Sequence, residues 1–166
     1  MSTALNITVL PFFAGTGPDG EPVFENLVIS ILDAGDFQVQ LVKSPLLIRN
    51  LAAGDRIKLI DPASARYDLI QRSGNLAIRV FRRHQLAALE EFLTPAIEKL
   101  DGKLDVCSER ALVYSIHFSI GFSAIEELMG RACATFPDTV WYYGNVYDPE
   151  DGTTPLEWWL DIEELY

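Results

Sequence analysis

Histidine and cysteine are scarce, with two of each in 166 residues. A histidine-rich metal site is therefore excluded, and a mixed one would need carboxylates gathered by the fold. Cys107 and Cys133 lie 26 positions apart without metal-ligand spacing, each within an apolar periodic segment. Both are expected to be reduced, buried and unreactive. Long hydrophobic runs are also missing: residues 111–125 carry no acid or base, but they include His117 and three serines. That run is too short and too polar to cross a bilayer, so no membrane association is expected. The opening Met1-Ser2-Thr3-Ala4 has no basic start, apolar middle or small-residue cleavage site, which leads to an expected cytoplasmic location. Basic residues are absent from residues 1–42, which hold five acids, and from residues 148–166, which hold seven. With a net charge of −11 the chain lacks the positive field that nonspecific nucleic-acid binding needs, so no nucleic-acid partner is expected.

Apolar residues make up 49% of the chain, enough to offset the entropy of ordering a compact core, and intrinsic disorder is excluded. The positive charge is concentrated in residues 43–83, where nine basic groups face three acids. Guanidinium groups on a sheet suit bidentate contact with carboxylate or phosphate, so Arg49, Arg72 and Arg79, with His117, are the candidate residues for binding an anion or a partner. The alternative is that this segment folds against the acidic tail and is neutralised internally.

The first half reads as strands. Residues 7–13 are apolar and end in a Gly/Pro-rich run that contains Gly15, Gly17 and Gly20 at G-x-G-x-x-G spacing. Pro18 and Pro22 interrupt it and strand-like residues 27–32 follow, so no helix start is available to hold a phosphate. Residues 27–32 and 37–42 flank a glycine turn and predict a hairpin. Alternating segments at 56–60, 67–71 and 76–81 continue the pattern toward a small sheet or partial barrel. Apolar spacing then predicts a helix from Leu86 to Leu100, broken at Pro95 with Thr94 capping a new turn. A hairpin of residues 104–107 and 111–118 follows, then a helix opened by a Ser123–Glu126 capping box, then a strand at 140–143. That order matches a ferredoxin-like split βαβ unit. The fold class is therefore α+β: an amino-terminal antiparallel small sheet or partial barrel followed by a ferredoxin-like βαββαβ unit. The expected organisation is a mostly-β subdomain over 1–73, an α+β subdomain over 74–146, and an acidic tail over 147–166 docked through its tryptophans.

Catalytic candidates are thin. In the tail, Asp148-Pro149-Glu150-Asp151-Gly152 has clustered oxygens before a glycine, but tyrosine and proline occupy positions where a calcium loop needs carboxylates. Thr154-Pro155-Leu156-Glu157 reads as a helix start. The hairpin drawn from residues 104–118 sets Cys107 and His117 far apart, so they form no nucleophile pair. Ser123 lacks the second glycine of a nucleophile elbow. The pairs Glu90-Glu91, Glu126-Glu127 and Glu163-Glu164 read as solvated helix faces. No catalytic residue, metal site or cofactor is assigned.

Phe24-Glu25-Asn26-Leu27, Leu51-Ala52-Ala53-Gly54-Asp55 before Arg56-Ile57, and Arg72-Ser73-Gly74-Asn75-Leu76 before Ala77-Ile78-Arg79-Val80 together resemble a bacterial family of unknown function, the one numbered 4265. The resemblance implies a bacterial cytosolic α+β protein and brings no catalytic residues with it. The leading expectation is a noncatalytic binding or interaction module, one version being an immunity-type protein that neutralises a basic partner. The other is an enzyme or small-ligand sensor with an anion site between the two halves.

Overall fold

The computed structural model describes residues 6–61 and 66–163, so Met1-Ser2-Thr3-Ala4 and Glu164 lie outside the described residues. Alternating apolar residues in the first half form β1 (Ile7–Thr16), β2 (Pro22–Asp33), β3 (Gln38–Leu41), β4 (Arg56–Asp61) and β5 (Arg66–Gln71). These pair in sequence order as an antiparallel sheet, β1-β2-β3-β4-β5. Phe12, Leu27, Ile29, Val39, Leu41 and Ile57 fill its inner face, joined by Ile48 and Leu51 from the connection between β3 and β4. The ring of Phe12 on the first strand meets Tyr67 on the last at 5.9 Å, edge to face, so the sheet curls on itself as a partial barrel. The G-x-G-x-x-G run turns the β1–β2 hairpin, held by Gly17 N–H donating to Glu21 O at 2.8 Å, and no helix follows it.

The second half comprises β6 (Asn75–Phe81), α1 (Leu86–Lys99), β7 (Lys103–Cys107), β8 (Ala111–His117), α2 (Phe122–Thr135) and β9 (Val140–Tyr143), with α3 (Trp158–Glu163) beyond them. Its strands pair antiparallel in the order β7-β8-β6-β9. Period-two alternation sends Leu76, Ile78, Val80, Leu112, Tyr114 and Ile116 to one face, where they pack on Leu89, Leu93 and Ile97 of α1 and Leu128 and Met129 of α2. Residues 77, 79 and 115 lie at the alternate positions and turn to the other face, which the β3–β4 connection covers.

Four local expectations are corrected. First, α1 runs unbroken through Pro95, because Leu93 and Ile97 on either side are fully buried against the sheet and hold both halves in line. Thr94 caps nothing and instead shares a 2.8 Å hydrogen bond with the Tyr114 hydroxyl. Second, α2 begins at Phe122 with Gly121 as its cap at φ 97°, which places Phe122 in the first turn against the rings of Tyr143 and Trp159. Ser123 is thus exposed inside the helix and makes no cap bond, so Ser123→Ala should shift stability by no more than about 0.5 kcal/mol in urea denaturation. Third, α3 starts at Trp158 rather than near Thr154, which the Asp151 carboxylate holds in the preceding loop. The tail packs through Trp158, whose Nε1–H donates to Asn145 O at 2.8 Å and whose ring meets Phe118 at 6.0 Å.

The fourth correction concerns the thiols. Cys107 is exposed at the end of β7, whereas Cys133 is half-buried, with its thiol directed at Thr139 O and its pKa raised by burial. Native labelling with a thiol reagent should therefore modify one cysteine per chain quickly, and mass mapping should place it at Cys107. Cys107 pairs with Leu112 and His117 with Asn75, so the two sit at opposite ends of β8.

Candidate functional site

The connection between β3 and β4 lies between the two sheets and has no regular partner for its backbone, so its amides and carbonyls need side chains. Glu25 on β2 accepts from three successive amides, Leu46, Leu47 and Ile48, at 2.6, 2.9 and 2.8 Å. Asp105, on the bulge of β7, accepts from Ser44 N–H at 2.8 Å and from the Ser115 hydroxyl, and the Ser44 hydroxyl accepts from Ala53 N–H at 2.9 Å. Asp55 is buried and accepts from Ala52 N–H and Ser73 N–H, both at 2.9 Å. Burial raises its pKa, while the two amides and the Arg72 charge pull it back down. Ser73 Oγ and Asn75 Nδ2 both donate to Ala53 O, at 2.7 and 2.8 Å. A Cβ on Gly54, whose φ is +86°, would lie 2.7 Å from Ser73 Cβ. The Gly-Asp and Ser-Gly-Asn patterns are thus two halves of one polar clasp that joins the sheets.

Beside this clasp lies a cleft of about 290 Å³ lined by Arg49, Arg79, Tyr142, Tyr143, Gly144, Tyr147, Asp148, Pro149 and Gly152. Arg79 stands on central strand β6 between Val113 and Tyr142 and is only 1% exposed. Its Nη2 donates to Ile48 O, its Cζ lies 5.8 Å from the Tyr142 ring centroid, and its Nε has no hydrogen-bond partner. Burial lowers its pKa and the charge of Arg49 adds to this, whereas hydrogen bonding by the Tyr142 hydroxyl and the charge of Glu25 oppose the shift. An arginine remains protonated at neutral pH under such shifts, so a positive charge is held out of water beside a second one. The Glu25 carboxylate is spent on three amides, and among the described residues neither Arg49 nor Arg79 forms an ion pair. Arg49 is exposed and makes only a long 3.5 Å contact to Pro149 O. A Cβ on Gly144 would fall 2.9 Å from Arg79 Nε, so only glycine lets the backbone pack this closely against the buried guanidinium.

The expected site residues do not form one patch. Arg49 and Arg79 share this cleft, while Arg72 lines another of about 560 Å³. There Arg72 donates to Asn50 O and Oδ1 at 3.2 and 2.6 Å and stacks 5.3 Å from the Trp158 ring, so its guanidinium serves packing. His117 adjoins Gly74, and its Nδ1 is tied to Ser119 at 2.7 Å, in a region that lines none of the clefts described. A third cleft, of about 590 Å³, holds Arg82, Arg83, His84 and Arg110 at the far end of β6. Arg82 is occupied there by the carbonyls of Pro137 and His84, and no buried donor is left unmatched. The other unmatched buried side-chain atom among the described residues is the Tyr143 hydroxyl, whose ring packs with Trp141 and Phe122.

Residues the sequence did not single out are Tyr142, Gly144 and Tyr147, and Asp148 was marked only as part of a failed calcium loop. One signal was present: the oxygen-rich Asp148–Gly152 loop, which fails as a calcium loop, forms one wall of the cleft. The Asp151 carboxylate is consumed by the Thr154 hydroxyl and the Thr154 and Thr153 amides, which hold its pKa down at about 2. No group of three potential metal ligands occurs among the described residues, and no described helix is long and apolar enough to cross a membrane.

A crystal structure of a hypothetical protein from Neisseria gonorrhoeae has the same fold, with a TM-score of 0.59 at 19% identity, covering 87% of this chain and 96% of that one. No curated protein matches the chain. The sequence patterns that build the clasp fall within a family match over residues 25–135, and the chain belongs to that family, a domain of unknown function (DUF4265).

Proposed function

We propose that this protein is a binding module that captures a small anion in the cleft formed by β6, β9, the loop after β9 and the β3–β4 connection, with Arg79 as the buried anchor and Arg49 as the outer contact. The observation that carries this reading is the Arg79 guanidinium: 1% exposed, without an ion-pair partner, its Nε unmatched, and lining an open cleft. A buried charge without an ion pair is costly when the nearby Glu25 carboxylate is committed to three amides, and an incoming carboxylate or phosphate would both neutralise it and accept from Nε. The second sheet supports the reading as a ferredoxin-like scaffold, because its strand order places β6, and so Arg79, centrally. Neutralisation of a basic protein partner is supported by the net charge of −11 alone, and the unpaired arginines favour an anion over it.

Calorimetric titration with glutarate, with inorganic phosphate and with uncharged glutaramide tests the proposal. Glutarate or phosphate should bind saturably and more weakly as salt rises, with no response to glutaramide. Equal responses to glutarate and glutaramide, or none to any anion, would overturn it.

A further inference from the structure

We propose, resting on the anion reading above, that the ligand is an α-amino acid with an acidic side chain. The cleft holds two unpaired guanidinium groups and one carboxylate, that of Asp148. Asp148 Oδ1 is taken by the Glu150 amide at 2.9 Å, and among the described residues Oδ2 makes no hydrogen bond. This half-buried carboxylate is the cleft's acceptor for an ammonium group. The complement of two cations and one anion is a molecule with two carboxylates and one ammonium. Arg79 takes one carboxylate through its unmatched Nε, Arg49 takes the other at the rim, and Asp148 takes the ammonium. A volume of about 290 Å³ accommodates a molecule of that size and is too small for a folded segment of chain. The Tyr142 ring, stacked on Phe81 at 5.6 Å, gives the carbon chain a fixed wall.

The test compares L-glutamate with glutarate, which lacks the ammonium, and with 4-aminobutyrate, which lacks the α-carboxylate, in the wild type and in Asp148→Asn. Asparagine keeps the Oδ1 acceptor for the Glu150 amide, so the loop retains its geometry. The wild type should bind L-glutamate about ten-fold more tightly than either analogue, and Asp148→Asn should erase the preference over glutarate. Glutarate binding as tightly as glutamate, with Asp148→Asn without effect, would overturn the amino-acid assignment and leave the anion site standing. Failure of every anion to bind would remove both.

Discussion

Arg79→Met is expected to weaken anion binding roughly ten- to hundred-fold while changing the free energy of unfolding by no more than about 1 kcal/mol. The substitution removes a guanidinium that is 1% exposed, together with its bond to Ile48 O. Losing that bond costs about 1 kcal/mol, and removing a desolvated charge with no ion-pair partner returns a similar amount, since methionine fills much of the same volume. Binding has no such compensation. A charge-assisted contact to a buried guanidinium contributes about 1.5–3 kcal/mol, so affinity for glutarate should fall roughly ten- to hundred-fold in calorimetry. Gly144→Ala is the second arm, because it keeps the charge but sets a methyl 2.9 Å from Nε. It should weaken binding too. Unchanged binding in Arg79→Met, accompanied by a loss of several kcal/mol of stability, would make Arg79 a strut between the sheets.

Asp55→Ala should be among the most destabilising single changes in the chain, at roughly 2–4 kcal/mol, because it strips the acceptor from two enclosed amides at once. Both oxygens of Asp55 are in use, one for Ala52 N–H and one for Ser73 N–H. Asparagine retains one acceptor and presents a donor to the other amide, so Asp55→Asn should cost less than alanine. Burial raises the folded-state pKa above the ordinary 3.8, ahead of the opposing amides and Arg72. A raised carboxyl favours folding in its protonated form. Its contribution is therefore fully present below pH 3.8 and is lost as pH rises through the folded value. The stability margin of the wild type over Asp55→Asn should widen as pH falls into that window. A margin that narrows there would mean that the Arg72 charge and the amides outweigh burial.

Much of the fold was legible because strands and helices write their burial into period-two and period-3.6 patterns. Leu76, Ile78 and Val80 announce the helix-facing side of β6 in this way. Alternation along β6 puts Arg79 on the sheet face away from the helices, yet it is buried there. Its burial comes from an irregular segment, held down by Glu25 and Asp105 and tied through its own Asp55 to Ser73, and no periodicity encodes that. Arg49 and Arg79 lie 30 positions apart, and Tyr142 and Asp148 are brought to them only by the β6–β9 pairing and the loop after β9. For the same reason the positive segment did not become one patch. Neighbouring arginines fall on different strands and ends, so Arg72 stacks on Trp158 while Arg82 and Arg83 reach the opposite end of β6. The Gly-Asp and Ser-Gly-Asn turns were visible as turns; that they hydrogen-bond to each other is a tertiary fact.

Anion binding at Arg79 Nε–H is tested most directly by a titration followed at the arginine side-chain Nε–Hε resonances. With glutarate added at constant ionic strength, the Arg79 Hε signal should move downfield and saturate as a charge-assisted hydrogen bond forms, and the Arg83 and Arg110 signals should hardly move. A stationary Arg79 signal while Arg83 and Arg110 shift would contradict the account and move the anion site to the far end of β6.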